Sequence, residues 1–168
     1  MAKIKIKLDS GAEMPTRATK GSVGYDVKSI ALLSVDLDGN KTRIYDKEHL
    51  LWFMEMGKLT HHFEVHTGVH VQPEDGYRID LCPNSRIAPL DVIYGNGIGH
   101  IDPDFTGGIR AILNRIGQGW VLEDIEQFLP GNVIGQLIIL PKIDAEWEVT
   151  DKLDETERGD GGFGSTAK

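Results

Sequence analysis

Short extended runs, each closed by a turn of glycine, proline or asparagine, recur along most of this chain and commit it to an all-β architecture. The opening residues 1–8 alternate polar and apolar side chains, the period of a half-buried strand. Further runs cover residues 27–35, 63–71, 77–81, 109–113 and 133–140, separated by turns such as Asp38-Gly39-Asn40, Pro73-Glu74-Asp75-Gly76 and Pro130-Gly131-Asn132. Many short strands at such close spacing predict a sandwich or barrel. Gln136-Leu137-Ile138-Ile139-Leu140 is continuously apolar after its first residue, which predicts burial on both faces.

One segment departs from this pattern. Residues 46–58 begin with a capping-type aspartate, end near a glycine and carry an apolar stripe between, which predicts a short helix inserted into the β chain. Trp52, Phe53 and Met56 of that helix are expected to pack against something. At 168 residues the chain is long enough for one domain with a proper core. The expected division is a β domain over residues 1–150, including the insert, and a flexible glycine-rich arm over residues 151–168.

The net charge of −8 argues against a nucleic-acid polymer as partner, because binding a phosphate backbone needs a broad basic surface. A single triphosphate needs only local donors and a metal ion, and stays open. Cys82 is the only cysteine, so there is no disulfide framework. The start of the chain lacks an apolar stretch of signal-peptide or membrane-span length, and a cytoplasmic protein is expected.

The arm carries its own chemistry. Its residues Arg158, Phe163, Gly164, Ser165 and Thr166 set one guanidinium, one ring and two hydroxyls among glycines. Backbone without Cβ atoms can lie flat on a ligand and aim N–H groups at an anion, and arginine supplies a forked phosphate donor. This composition suits a lid over a nucleotide.

Five stretches, taken together and in order, resemble the motif set of the homotrimeric dUTP pyrophosphatase (dUTPase) family. They are Gly21-Ser22-Val23-Gly24-Tyr25-Asp26; Pro83-Asn84-Ser85-Arg86-Ile87-Ala88; Gly95-Asn96-Gly97-Ile98-Gly99-His100-Ile101-Asp102-Pro103-Asp104-Phe105; Pro130-Gly131-Asn132-Val133-Ile134-Gly135-Gln136-Leu137; and the arm. The first, third and last match well, the second and fourth loosely.

The resemblance implies an all-β jelly-roll-like barrel, assembled as a homotrimer whose active sites each draw on three chains. It implies Mg²⁺-dependent hydrolysis of dUTP to dUMP and pyrophosphate, with water attacking the α-phosphorus. Asp102 matches the family's water-activating carboxylate, and Asp104 is its decoy. Asn96 would read uracil from a tight Gly95-Asn96-Gly97 hairpin turn, and Phe105, standing where tyrosine is usual, would stack on the deoxyribose. Asp26 would hold the hydration shell of Mg²⁺, an ion that keeps several waters. Ser85, Gln136, Arg158, Ser165 and Thr166 would hold phosphates, and Phe163 would stack on the base beside Gly164.

The second stretch departs from the family, which has arginine at the position of Asn84. Arg86 stands two residues on and, in an extended segment, would point to the same face. In the fourth stretch Gly135 replaces alanine. His62, Glu64 and His66 alternate as metal ligands on a strand would, but without further ligands a solvated β face is the better reading. Two other functions fit less well. A dCTP deaminase of the same fold would need donors for a cytosine amino group, which are not found. A regulatory protein capturing a partner through the 46–58 insert, as some phage-encoded members do, is compatible with catalysis.

Overall fold

The computed structural model describes residues 2–57 and 60–161. Among these residues, eleven strands form three antiparallel sheets. The largest runs β4 (Lys41–Ile44), β3 (Ala31–Val35), β5 (His62–His66), β10 (Arg110–Arg115) and β8 (Val92–Tyr94). A second runs β2 (Tyr25–Lys28), β11 (Val133–Pro141), β7 (Tyr77–Cys82) and β9 (Gly99–Ile101). The third pairs β1 (Ile4–Leu8) with β6 (Val69–Pro73). The architecture is the expected jelly-roll-like sandwich.

Period-two burial explains the packing. Leu32, Phe63, Val65, Ala111 and Leu113 point inward from the five-stranded sheet, and Val27, Ile79, Leu81 and Leu137 from the four-stranded sheet. They meet in one apolar cluster, and each large side chain so buried stabilises the fold by roughly 1.5–3 kcal/mol. A short helix α2 (Leu122–Ile125) and a 3₁₀ turn at Glu126–Phe128 add Ile125 and Phe128 to the cluster.

Two expected strands are each two strands. The run 27–35 breaks at Ser29, whose N–H donates to Asn132 O at 3.0 Å and whose hydroxyl donates to Leu129 O at 2.6 Å. There the chain leaves the four-stranded sheet and enters the five-stranded one. The run 63–71 breaks at Thr67-Gly68, where Gly68 takes φ +65° and the chain passes from β5 to β6. Apolar alternation continues through both corners, so composition did not reveal them. Strands β4, β8 and β9 and helix α2 were also not anticipated; the first three have only 4, 3 and 3 residues, too few for a periodic signal. In β11, Leu137 is buried whereas Ile138, Ile139 and Leu140 are half-buried, so the continuous apolar run is not covered on both faces within one protomer.

The insert forms helix α1 (Lys47–Glu55), capped as expected: Asp46 accepts the His49 N–H at 2.8 Å. Such a cap contributes about 1 kcal/mol. Leu50 and Phe53 are buried, while Trp52 and Met56 remain exposed, contrary to expectation. Lys47 ties the insert to the 3₁₀ turn by a 2.6 Å ion pair with Glu126. Beyond Pro141, residues 142–161 contain neither helix nor strand, and Ile143, Trp147 and Val149 are exposed. No helix among the described residues is long and apolar enough to cross a membrane.

Candidate active site

The third motif folds around a cleft of about 410 Å³ lined by Asn96, Asp102, Phe105, Gly107, Ile109 and Arg110, among others. The turn Tyr94–Gly97 is closed by the Gly97 N–H donating to Tyr94 O at 3.0 Å, with Gly97 at φ +67°. It is not a hairpin between paired strands: β8 before it bonds to β10, whereas β9 after it bonds to β7. The turn therefore joins two sheets, and Asn96 lines the cleft between them.

A second turn, Asp102–Phe105, is closed by the Phe105 N–H donating to Asp102 O at 3.0 Å. It sends Asp102 into the cleft lining and leaves Asp104 out of it. Phe105 lies against Gly107 so closely that a Cβ there would sit 2.5 Å from its Cζ. Both Asp102 and Phe105 are exposed, so a ligand can reach them. Arg110, which also lines the cleft, was not singled out from the sequence, where it is one arginine within the otherwise apolar run 109–113. It is 3.4 Å from the buried Glu64 carboxylate.

Asp26 and Gln136 form a separate pair. Register pairs Asp26 with Gln136 and Gln136 with Cys82, three residues before Ser85. Gln136 Nε2 donates to Asp26 Oδ1 at 2.8 Å. Gly24 makes this contact possible, because a Cβ there would lie 2.8 Å from Gln136 Cβ. Gly135 likewise has no room for alanine: a Cβ would meet Cys82 O at 2.6 Å and the Tyr94 hydroxyl at 2.8 Å. That hydroxyl donates to Ile134 O, and burial pushes its pKa up, so it stays a proton donor. Burial, followed by the charge of Asp80, also pushes the Cys82 thiol up, which makes it a poor nucleophile.

Arg86 is placed differently from expectation. The extended segment ends at Cys82, and residues 85–89 turn. Asn84 Oδ1 accepts the Arg86 N–H at 3.1 Å, and Asn84 O accepts the Ile87 N–H at 3.1 Å. Strand alternation therefore does not put Arg86 on the face of Asn84. Asn84 caps the turn, while Arg86 is exposed beside Ser85.

Asp26 and Asp102 do not meet within one protomer. Asp26 is on one edge strand of the four-stranded sheet, and Asp102 follows the opposite edge strand, β9. Strand spacing and rise put them roughly 14 Å apart across the sheet and about 13 Å along it. On the arm, Arg158 Nε donates to Gly161 O at 2.9 Å in a local turn. Phe163, Gly164, Ser165 and Thr166 lie outside the described residues.

The alternating His62, Glu64 and His66 form an ion-pair network. Glu64 is buried, 2.8 Å from Lys41 Nζ and 3.0 Å from His66 Nε2. A solvated face is thus incorrect for Glu64. Burial pushes its carboxyl up, but Lys41, His66 and Arg110 outweigh that and hold it below its ordinary value. No group of three or more His, Cys, Asp or Glu among the described residues could hold a metal ion.

No family model matches the chain. It is 31% identical over 174 residues to the deoxyuridine 5′-triphosphate nucleotidohydrolase of Desulfitobacterium hafniense, covering 99% of this chain and 98% of that one. Among solved structures it shares its fold with the dUTPase of Staphylococcus bacteriophage 80alpha with dUpNHpp (TM-score 0.69, 21% identity, 99% of both chains). It likewise resembles a mutant dUTPase from phage phi11 of S. aureus that coordinates a structural Mg(II) ion (TM-score 0.62, 16% identity, 91% of this chain and 99% of that one).

Proposed function

Since the chain belongs to the deoxyuridine 5′-triphosphate nucleotidohydrolase (dUTPase) family, we propose that it hydrolyses dUTP to dUMP and pyrophosphate with Asp102 activating the attacking water. The observation that carries the assignment is the cleft: Asn96, Asp102 and Phe105 line one cavity, and the neighbouring Asp104 does not. An amide can pair with one edge of a pyrimidine, and a ring seated on Gly107 offers a flat wall to the sugar. A carboxylate beside the α-phosphorus can take the proton of the attacking water, a contribution of roughly 10²–10⁴-fold.

Asp26, Gln136 and Ser85 are proposed to serve the triphosphate. Asp26 Oδ1 is held by Gln136, which leaves Oδ2 for a hydrated cation. One carboxylate suits Mg²⁺, which keeps its waters and takes phosphate oxygens as further ligands. When bound, the ion would neutralise charge on the triphosphate. Ser85 donates a hydroxyl and Arg86, on the same turn, a guanidinium. Because Asp26 and Asp102 stand on opposite sheet edges, a complete site needs a second copy, which supports a homotrimer with shared sites. The arm, carrying Arg158, Phe163, Gly164, Ser165 and Thr166, is proposed to close the site from a third copy in a cytoplasmic enzyme.

Pyrophosphate release across a panel of deoxynucleotides, with and without EDTA, tests this. Release from dUTP alone, lost with EDTA, is expected. Ammonia release from dCTP would support a deaminase instead, and inertness toward dUTP would overturn the assignment. A protein partner captured by the insert is a second reading, favoured by the exposed rings of Tyr45 and Trp52 on either side of His49, with centroids 5.3 and 5.6 Å from it. A pull-down lost in Trp52→Ala supports it, and one unchanged in that variant excludes it.

A further inference from the structure

His70 was not among the expected site residues, yet it touches the loop that carries Phe105. It lies on β6 opposite Lys7 of β1, with its side chain 18% exposed. Nδ1 is 2.9 Å from Thr106 O, and Nε2 is 3.0 Å from Asp9 Oδ2. Thr106 O is a carbonyl and can only accept a hydrogen bond. Asp9 is held as a carboxylate, its pKa lowered first by the hydrogen bond from His70, and so it too can only accept. A neutral imidazole has one N–H and would set a lone pair against one of these oxygens. Satisfying both requires the imidazolium.

The position of Thr106 gives this pair of bonds a consequence. Thr106 sits between Phe105 and Gly107, and both neighbours line the cleft. A Cβ on Gly108 would lie 3.5 Å from His70 Cε1 and Nε2, so the ring also packs against the end of the loop. Among the described residues Asp9 and Lys7 are the charged groups acting on His70. Lys7 Nζ is 3.6 Å from Asp9 Oδ1 and partly offsets it.

We propose that His70 is a positioning residue for the nucleotide cleft: as an imidazolium it clamps the Thr106 carbonyl to Asp9 and fixes the turn that presents Phe105. This rests on the assignment of that cleft to dUTP. The direction of the pH effect follows. The Thr106 carbonyl and then the Asp9 hydrogen bond raise the pKa of His70 above 6.5, so the clamp is complete at low pH. It opens as pH rises through the raised value, loosening the wall against the sugar.

The test uses the full chain with Mg²⁺. NMR of the ring nitrogens reports the protonation of His70 directly, and KM and kcat for dUTP are measured from pH 6 to 9 for wild type, His70→Gln and Asp9→Asn. The ratio of variant to wild type cancels titration of the triphosphate itself. Both ring nitrogens should carry protons at pH 6, and in Asp9→Asn His70 should titrate at lower pH. His70→Gln should raise KM on the order of tenfold at low pH, converging on wild type as pH rises, with kcat within about twofold. A neutral His70 at pH 6, or a variant KM equal to wild type throughout, overturns the clamp. If wild type fails to hydrolyse dUTP, the assignment of the cleft falls, while the NMR still decides the state of His70.

Discussion

Gln136 Nε2 donates to Asp26 Oδ1 at 2.8 Å, linking a glutamine of β11 to a carboxylate of β2 110 residues away in the chain. The bond fixes which carboxylate oxygen remains for other partners. Its closeness depends on the hydrogen atom that Gly24 has in place of a side chain, because a Cβ there would lie 2.8 Å from Gln136 Cβ and Oε1. Gly24→Ala should therefore lower kcat/KM at least about tenfold by displacing Gln136. Unchanged kinetics at low Mg²⁺ would show that the pair is only a sheet contact.

Asp102→Asn should keep dUTP binding and lose most turnover, because an amide cannot accept the proton of the attacking water. Asp104→Asn should be mild, since Asp104 is outside the cleft lining. Steady-state kinetics decides: kcat above about a tenth of wild type in Asp102→Asn removes the general-base role, which is usually worth about 10²-fold or more.

Removing residues 157–168 should leave a folded protein with little activity. Among the described residues, the buried cluster and the side chains packed against it include none beyond Ile139, so the core is built without the described part of the arm. Circular dichroism and turnover at saturating dUTP and Mg²⁺ test this; normal turnover would eliminate the lid.

Arg86→Ala should weaken kcat/KM on the order of tenfold by removing a positive charge beside Ser85. Arg86→Lys should recover only part, since lysine lacks the planar fork. Wild-type kcat/KM in Arg86→Ala would mark the arginine as surface decoration.

Glu64 should make stability depend on acid. Its folded pKa lies below the ordinary 4.5. A depressed carboxyl contributes stability that is present above the unfolded value and lost as pH falls through the folded one. Urea unfolding from pH 3 to 6 should show a shallower acid loss in Glu64→Gln than in wild type. Parallel curves would mean that Lys41, His66 and Arg110 do not favour the ionised carboxylate.

The local features were legible in the order of residues alone. Alternation and turn residues specified the β class, Asp46 specified the start of the insert helix, and Asn96, Asp102 and Phe105 stood close enough in the chain for one cleft. These are short-range properties, written in neighbours a few residues apart. Features that depend on distant partners emerged only in the folded chain. Strands 27–35 and 63–71 each cross between sheets because Asn132 and Leu129 capture Ser29 and because Gly68 turns, neither of which alters the apolar pattern. Gly135 is required by the hydroxyl of Tyr94, which is 41 positions earlier in the chain but in contact in the fold. His70 gained its place beside the cleft only when β1 and the Phe105 loop closed on it from either side, bringing Asp9 and Thr106 within hydrogen-bond reach. Periodicity records which face of a strand is buried; which strands then meet is fixed by packing and by hydrogen bonds made across the fold.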